Sequence, residues 1–240
     1  MFSASVASTP AARLAWPACR PMFRSKPTPS CMSADARPKH ALRPDPRLRS
    51  RTRRRLGLIS TNLVGRRALV LGGGKGLGFG VAEPLAAKGA EVILVGRGEE
   101  TLDAARRAIE AAGHICSTFS ADLSDHDSVS RLIHAVEDEH QRIDIVLLNG
   151  GGPPPFAASV FDASVWEKQF TSMVLSQMRI AVWFLPGMRA RRWGRIIAVS
   201  STSVREPIPG LTASNALRAS LAGWAKTLAG EVAADGVTVN

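Results

Sequence analysis

The 240-residue chain contains no tyrosine. No site in it can use a phenol as an acid or a base. Cysteine is scarce, and Cys19, Cys31 and Cys116 are too few for a disulfide framework. They also offer no paired metal spacing, so no metal site and a reducing compartment are expected. Long apolar runs are lacking. The longest, Val174 to Met188, is broken by Gln177 and Arg179 and falls short of the roughly 18 residues of a membrane span. Acids are nearly absent from the first quarter, where residues 1–60 set thirteen Lys/Arg against Asp35 and Asp45. The whole formal charge of +11 therefore sits in that quarter. Residues 61–240 hold eighteen bases and eighteen acids. That balance argues against nucleic-acid binding, which needs basic excess on a folded face.

Two regions follow from this. Residues 1–60 form a basic, Pro-rich leader whose eight prolines allow no long helix and whose apolar residues show no period. Three readings of it stay open: a start site assigned too early, an organellar transit peptide rich in Arg, Ser and Ala, or a basic arm around Arg47–Arg55. Without a membrane span or an apolar h-region, a cytoplasmic protein is expected, or an organellar one if the leader is a transit peptide.

Residues 61–240 alternate short apolar runs with helical patterns. Strands are expected at Arg67–Leu71, Glu91–Val95, His114–Phe119, Ile143–Leu148, Arg195–Val199 and from Gly236. Helices are expected at 76–88, 99–112, from Ser124 or Asp125 to His140 and 211–233, with helical segments from about Ser164 to Arg191. Alternation of this kind implies parallel βαβ units, an α/β Rossmann-like doubly wound sheet flanked by helices. Pro84 is a local fault in the first helix, with Gly80 four residues earlier to relax the backbone.

Between the first strand and helix stands Leu71-Gly72-Gly73-Gly74-Lys75-Gly76-Leu77-Gly78. Glycines let a backbone approach a phosphate, and a helix N-terminus presents free N–H groups and partial positive charge to it. A strand before it, a helix after it and a βαβ unit around it supply the context of a dinucleotide site. The second strand ends Leu94-Val95-Gly96-Arg97 without the acid that an NAD ribose wants. Arg97 and Lys75 suit a 2′-phosphate instead, so the expected cofactor is NADP(H).

The spacing Gly72-x3-Gly76-x-Gly78 resembles the short-chain dehydrogenase/reductase family, and the likeness runs from about Gly65 to Asn240. Asp122-Leu123 matches the pair that such proteins set against the adenine. Asn149-Gly150-Gly151 resembles their Asn-Asn-Ala-Gly motif, with Leu148 at its first position. Trp193-Gly-Arg-Ile-Ile197 with Ser200-Ser201, and Gly236-Val-Thr-Val-Asn240, match the fifth and sixth strands. The resemblance implies hydride transfer between NADP(H) and a ketone or secondary alcohol. The implied cofactor contacts are Gly72, Gly74, Lys75, Gly76, Leu77, Gly78, Arg97, Asp122, Leu123, Asn149 and Gly150. A small carbonyl or alcohol substrate, no membrane or nucleic-acid partner, and a homo-oligomer with Trp183, Phe184 or Trp224 at its interface are also expected.

At the reacting centre the pattern departs from the family. Its Tyr-x-x-x-Lys pair becomes Leu211 and Asn215, and its relay asparagine becomes Met173. Ser201, with Ser200 beside it, is the one matching group and the candidate catalytic residue. Ser203, Thr212, Arg205, Glu206 and Arg218 are further candidates to donate a proton or charge, and no histidine maps to the pocket. A catalytically silent NADP(H)-binding sensor or subunit is the alternative, as is a non-functional fragment. Asn149-Gly-Gly-Gly-Pro-Pro-Pro155 reads as a substrate wall or a rigid spacer. Family members continue past a sixth strand, so a last strand and a substrate lid are expected to be missing and the chain to be truncated.

Overall fold

The computed structural model describes residues 62–240, and the leader expected over residues 1–60 lies outside the described residues. The described chain runs β1 (Arg67–Leu71), α1 (Gly76–Ala87), β2 (Glu91–Gly96), α2 (Glu99–Ala111), β3 (Cys116–Ser120) and α3 (His126–His140). It continues with β4 (Ile145–Leu148), α4 (Ala163–Phe170), α5 (Ser176–Ala190), β5 (Gly194–Ala198), α6 (Thr212–Val232) and β6 (Val237–Val239). The strands form one parallel sheet in the order β3-β2-β1-β4-β5-β6. The order reverses between β1 and β4, which puts the ligand crevice of a doubly wound sheet at their carboxyl ends.

The strands follow from their apolar runs. Every residue of β4 is buried, as are the last four of β1, because helices cover both faces of the sheet. One core layer packs Val70, Leu94 and Leu147 against Ala82 and Ala86 of α1 and Leu102, Ala105 and Ile109 of α2. The other packs Leu69, Leu71, Val146 and Ile196 against α3, α5 and α6. Asp125 caps α3 by accepting the Asp127 N–H at 2.9 Å.

Three local features refine the expected elements. The helix α1 runs unbroken through Pro84. Both Pro84 and Gly80 are exposed, so the carbonyl that loses its partner is open to water. The third strand starts at Cys116, two residues late, because the His114 N–H closes onto the Ile109 carbonyl beyond a left-handed Gly113. The helical run over 164–191 is divided by a π-helical turn at Thr171–Leu175. Such single wide turns concentrate at functional sites.

The amino ends of the strands are closed by ions. Asp144 is fully buried, and its carboxylate accepts from Arg66 Nη1 at 3.3 Å and the Arg67 N–H at 3.1 Å. Arg142 and Arg191 approach it at 3.3 and 3.5 Å. Glu91 accepts from Arg67 Nε at 2.8 Å and lies 3.0 Å from His140 Nδ1. The guanidinium groups of Arg66 and Arg195 lie over the Trp193 ring, 3.8 and 4.5 Å from its centre.

Candidate functional site

The cleft of about 560 Å³ opens at the opposite, carboxyl end. Its floor is the glycine loop. Gly73 extends the β1–β2 pairing by donating its N–H to the Val95 carbonyl at 3.0 Å. No side chain caps the first turn of α1, so its leading N–H groups stay available to an anion. Gly72, Gly74, Lys75 and Leu77 line the cleft. Gly76 and Gly78 do not line it. Gly78 lies against the Gly72 carbonyl, where an added Cβ would stand 2.1 Å from the oxygen. Gly72 in turn lies against the Asn149 amide, which donates to the Leu71 carbonyl at 3.2 Å. Gly72, Gly78 and Asn149 thus interlock where β1 and β4 diverge.

On the β2–β3 side the lining holds Gly96, Arg97, Thr101, Asp122, Leu123 and Ser124. Asp122 Oδ1 accepts from the Ser124 N–H at 2.9 Å and the Ser124 hydroxyl at 2.8 Å. The Ser124 N–H, more than any other group, holds the Asp122 carboxyl below its ordinary range against a smaller opposing effect of burial; the Ser124 hydroxyl and the charges of Arg97 and Lys168 add to it. On the β4 side stand Asn149, Gly150, Gly151 and Gly152, and across from them Lys168, Gln169 and Ser172. Sequence reasoning missed these last three. They come from α4 and the π-helical turn, on a crossing element with no motif of its own. Three cations, Lys75, Arg97 and Lys168, therefore line a cleft whose one lining acid is Asp122.

Outside the cleft lining stand the residues that match the family's catalytic positions. Ser201 accepts the Ser203 N–H at 3.1 Å, which leaves its own proton to donate. Thr212 spends its hydroxyl on the Phe156 carbonyl at 3.0 Å, and the Phe156 N–H donates to the Gly210 carbonyl at 2.8 Å. Phe156 and Leu211 then pair as an isolated bridge, so the Pro-rich loop is stitched to the segment before α6. Phe156 also packs edge-on to Trp166, its ring centre 6.0 Å away. Met173 is buried with Val174, Ala213 and Leu217, an apolar cluster where a relay would need a polar group. Asn215 donates its amide to the Ile208 carbonyl at 2.9 Å. Arg205 and Glu206 are exposed, and Ser203 is buried with its hydroxyl oxygen unpartnered. Arg218 donates to the Val199 carbonyl at 2.9 Å and to Ser214 at 3.2 Å.

Other groups fall away from this end. His140 belongs to the ionic layer at the amino end. Cys116 is buried, and burial pushes its thiol up to about 11, which removes it as a nucleophile near neutral pH. Phe184 is in the core and Trp224 is partly buried against it, whereas Trp183 remains 41% exposed, edge-on to His134. Among the described residues no group of His, Cys, Asp and Glu could hold a metal ion, and no helix is long and apolar enough to cross a membrane.

The chain is similar to several dehydrogenases and reductases. Gluconate 5-dehydrogenase of Gluconobacter oxydans is 30% identical over 179 residues, which cover 75% of this chain and 70% of that protein. A fatty acyl-CoA reductase of Acinetobacter baylyi is 31% identical over 177 residues, 73% of this chain, and the match spans 60% of that reductase's length. L-sorbose reductase from Gluconobacter frateurii, solved with NADPH and L-sorbose, superposes with a TM-score of 0.72 at 28% identity, over 76% of this chain and 70% of that one. A 3-oxoacyl (acyl-carrier-protein) reductase from Agrobacterium tumefaciens, solved with NADP, gives 0.70 at 30% identity over 74% and 68%. The family model for short chain dehydrogenases matches residues 66–240, the whole sheet and every helix between its strands. By fold, by glycine loop and by that match, this chain belongs to the short-chain dehydrogenase family.

Proposed function

We propose that the chain binds NADP(H) in the carboxyl-end cleft and transfers hydride between it and a ketone or secondary alcohol. The observation that carries this is the charge of the cleft: Lys75, Arg97 and Lys168 around one acid, with Arg97 at the end of β2 where an NAD site wants a carboxylate. A pyrophosphate and a 2′-phosphate together fit that surplus. Lys75 and the uncapped start of α1 suit the pyrophosphate, Arg97 the 2′-phosphate, and Asp122-Leu123 the adenine. When bound, NADPH would supply the hydride for reduction of a ketone and NADP+ would accept it from an alcohol.

The protein's own part is to hold the carbonyl oxygen and give it a proton. Ser201 is the group available for this, since Thr212 is committed to Phe156 and Leu211 carries no proton. Loss of a positioned acid lowers rates by about 10²–10⁴-fold, so slow turnover is expected. The test is consumption of NADPH with a panel of ketones, comparing the unchanged protein with Ser201→Ala. Turnover that Ser201→Ala removes supports the reading; turnover that survives it assigns the proton to another group.

A second reading, a silent NADP(H)-binding sensor or subunit, is favoured by the bridge between Phe156 and Leu211 and by the apolar setting of Met173. NADPH binding without turnover on the whole panel would select it. A Leu211→Tyr/Asn215→Lys double variant that gains large activity would show that the pocket needs only the acid and its lysine.

A further inference from the structure

Leu211, Asn215 and Arg218 lie at i, i+4 and i+7, on one face of the helical stretch that opens α6. Long side chains on a helix lean toward its N-terminus. Arg218 does so, with Nε on Ser214 one turn back. Its Nη1 reaches the Val199 carbonyl. Leu148 pairs with Ala198 in the sheet, so Val199 stands opposite Asn149, at the seam where β4 and β5 end. Gln177 reaches the same seam from α5. It is 3% exposed, its Nε2 would lie 3.0 Å from a Cβ on Gly150, and its Oε1 has no partner. Among the described residues no Asp or Glu forms an ion pair with Arg218, although the guanidinium is only partly exposed. Burial lowers its pKa, but an arginine stays charged.

A dinucleotide lies across the switch point with one nucleotide on each side of it. Arg97 and Asp122 mark the adenosine side, over β2 and β3. The nicotinamide side then falls over the ends of β4 and β5, where Arg218 holds an uncompensated positive charge. The oxidised nicotinamide ring carries +1 and the reduced ring is neutral. We propose that Arg218 is the cation of the nicotinamide end, standing in for the charge that Asn215 lacks, and that it biases the site toward the reduced cofactor. This rests on the NADP(H) reading of the cleft. It also means that the site would load with NADPH in preference to NADP+ from a mixture of the two.

The test is the ratio of the dissociation constants for NADP+ and NADPH in the unchanged protein and in Arg218→Gln, Arg218→Lys and Asn215→Lys. Adenosine 2′,5′-bisphosphate, which has no nicotinamide, is the control for the adenosine side. The unchanged protein should bind NADPH more tightly. Arg218→Gln should shift the ratio toward NADP+ by roughly tenfold, as expected for one unit charge several ångströms away in a partly buried site. Arg218→Lys should keep the ratio, and Asn215→Lys, whose folding does not depend on removing Arg218, should push it further toward NADPH. The bisphosphate should bind all four proteins alike. Ratios that stay equal across the proteins, or an equal loss of both forms in Arg218→Gln, would overturn the proposal. Failure of the unchanged protein to bind the bisphosphate would overturn the cofactor reading, and this inference with it.

Discussion

At the amino ends of the strands, Arg66, Arg142 and Arg191 converge on the buried Asp144, and Arg67 is held by Glu91. At the carboxyl ends, Lys75, Arg97 and Lys168 line a cleft that offers them only Asp122. The two hollows are of similar size, about 680 Å³ and about 560 Å³, yet much of the positive charge at the amino end is already satisfied within the protein. Size and a count of lining Lys and Arg, three at each end, therefore do not tell the two ends apart. What distinguishes them is pairing. Charges neutralised internally hold the fold together, and charges left without partners await an anionic ligand.

The largest effect should come from breaking the paired end. Asp144→Ala leaves several arginines without their shared carboxylate, and loss of about 3–5 kcal/mol is expected in urea unfolding. The cleft should still bind NADPH in the molecules that remain folded. A loss below about 1 kcal/mol would mean that this end is not a structural ion cluster.

Gly78→Ala strikes the other end at its floor. Its Cβ would meet the Gly72 carbonyl at 2.1 Å, backbone against backbone, so the phosphate loop must shift. About 1–3 kcal/mol of stability should go, with a parallel loss of NADPH affinity by calorimetry. Gly76→Ala sharpens the contrast from the mild side. Nothing lies within 4 Å of the new methyl, and the cost is only that of φ +59°, about 1–2 kcal/mol in thermal unfolding.

The smallest effect is the response to acid. Glu91 is desolvated, which raises its pKa, but Arg67 and His140 together outweigh this and hold it below 4.5. Asp122 is likewise held below 3.8, chiefly by the Ser124 N–H. Carboxyls depressed in the folded state stabilise it fully above their unfolded pKa values and lose that contribution as pH falls through the folded ones. Stability should thus be flat from neutral pH to about pH 5 and decline below about pH 4, modestly, because both groups stay in partial contact with water, which screens their interactions. A decline that starts near pH 6 would contradict this assignment.

Much of the fold was legible because its strands are buried on both faces and read as unbroken apolar runs, with glycines closing the helices. The strand ends were legible only to one or two residues, since Gly113 borrows His114 for the helix end before β3 begins. The cleft's floor and its β2–β3 side were legible for a related reason: Gly72, Arg97 and Asp122 stand within two residues of the end of a strand. Lys168, Gln169 and Ser172 were not, because only the crossing of α4 over the switch point brings them near Asp122, 46 residues earlier in the chain. The cluster around Asp144 was hidden for the same reason. Its residues flank separate strands, and each looks like an ordinary charged terminus until the sheet brings them together. At the reacting end, the sequence located what was absent, and only the structure found where Arg218 and Gln177 reach.

The central claim is that the unpaired cations of the carboxyl-end cleft bind the 2′-phosphate of NADP(H). The most direct measurement is a side-by-side titration of NADPH and NADH into the protein and its Arg97→Gln variant. NADPH should bind the unchanged protein more tightly, and Arg97→Gln should weaken NADPH about 10–100-fold, the worth of a charge-assisted hydrogen bond, while leaving NADH nearly unchanged. Equal binding of NADH and NADPH by the unchanged protein would contradict the account.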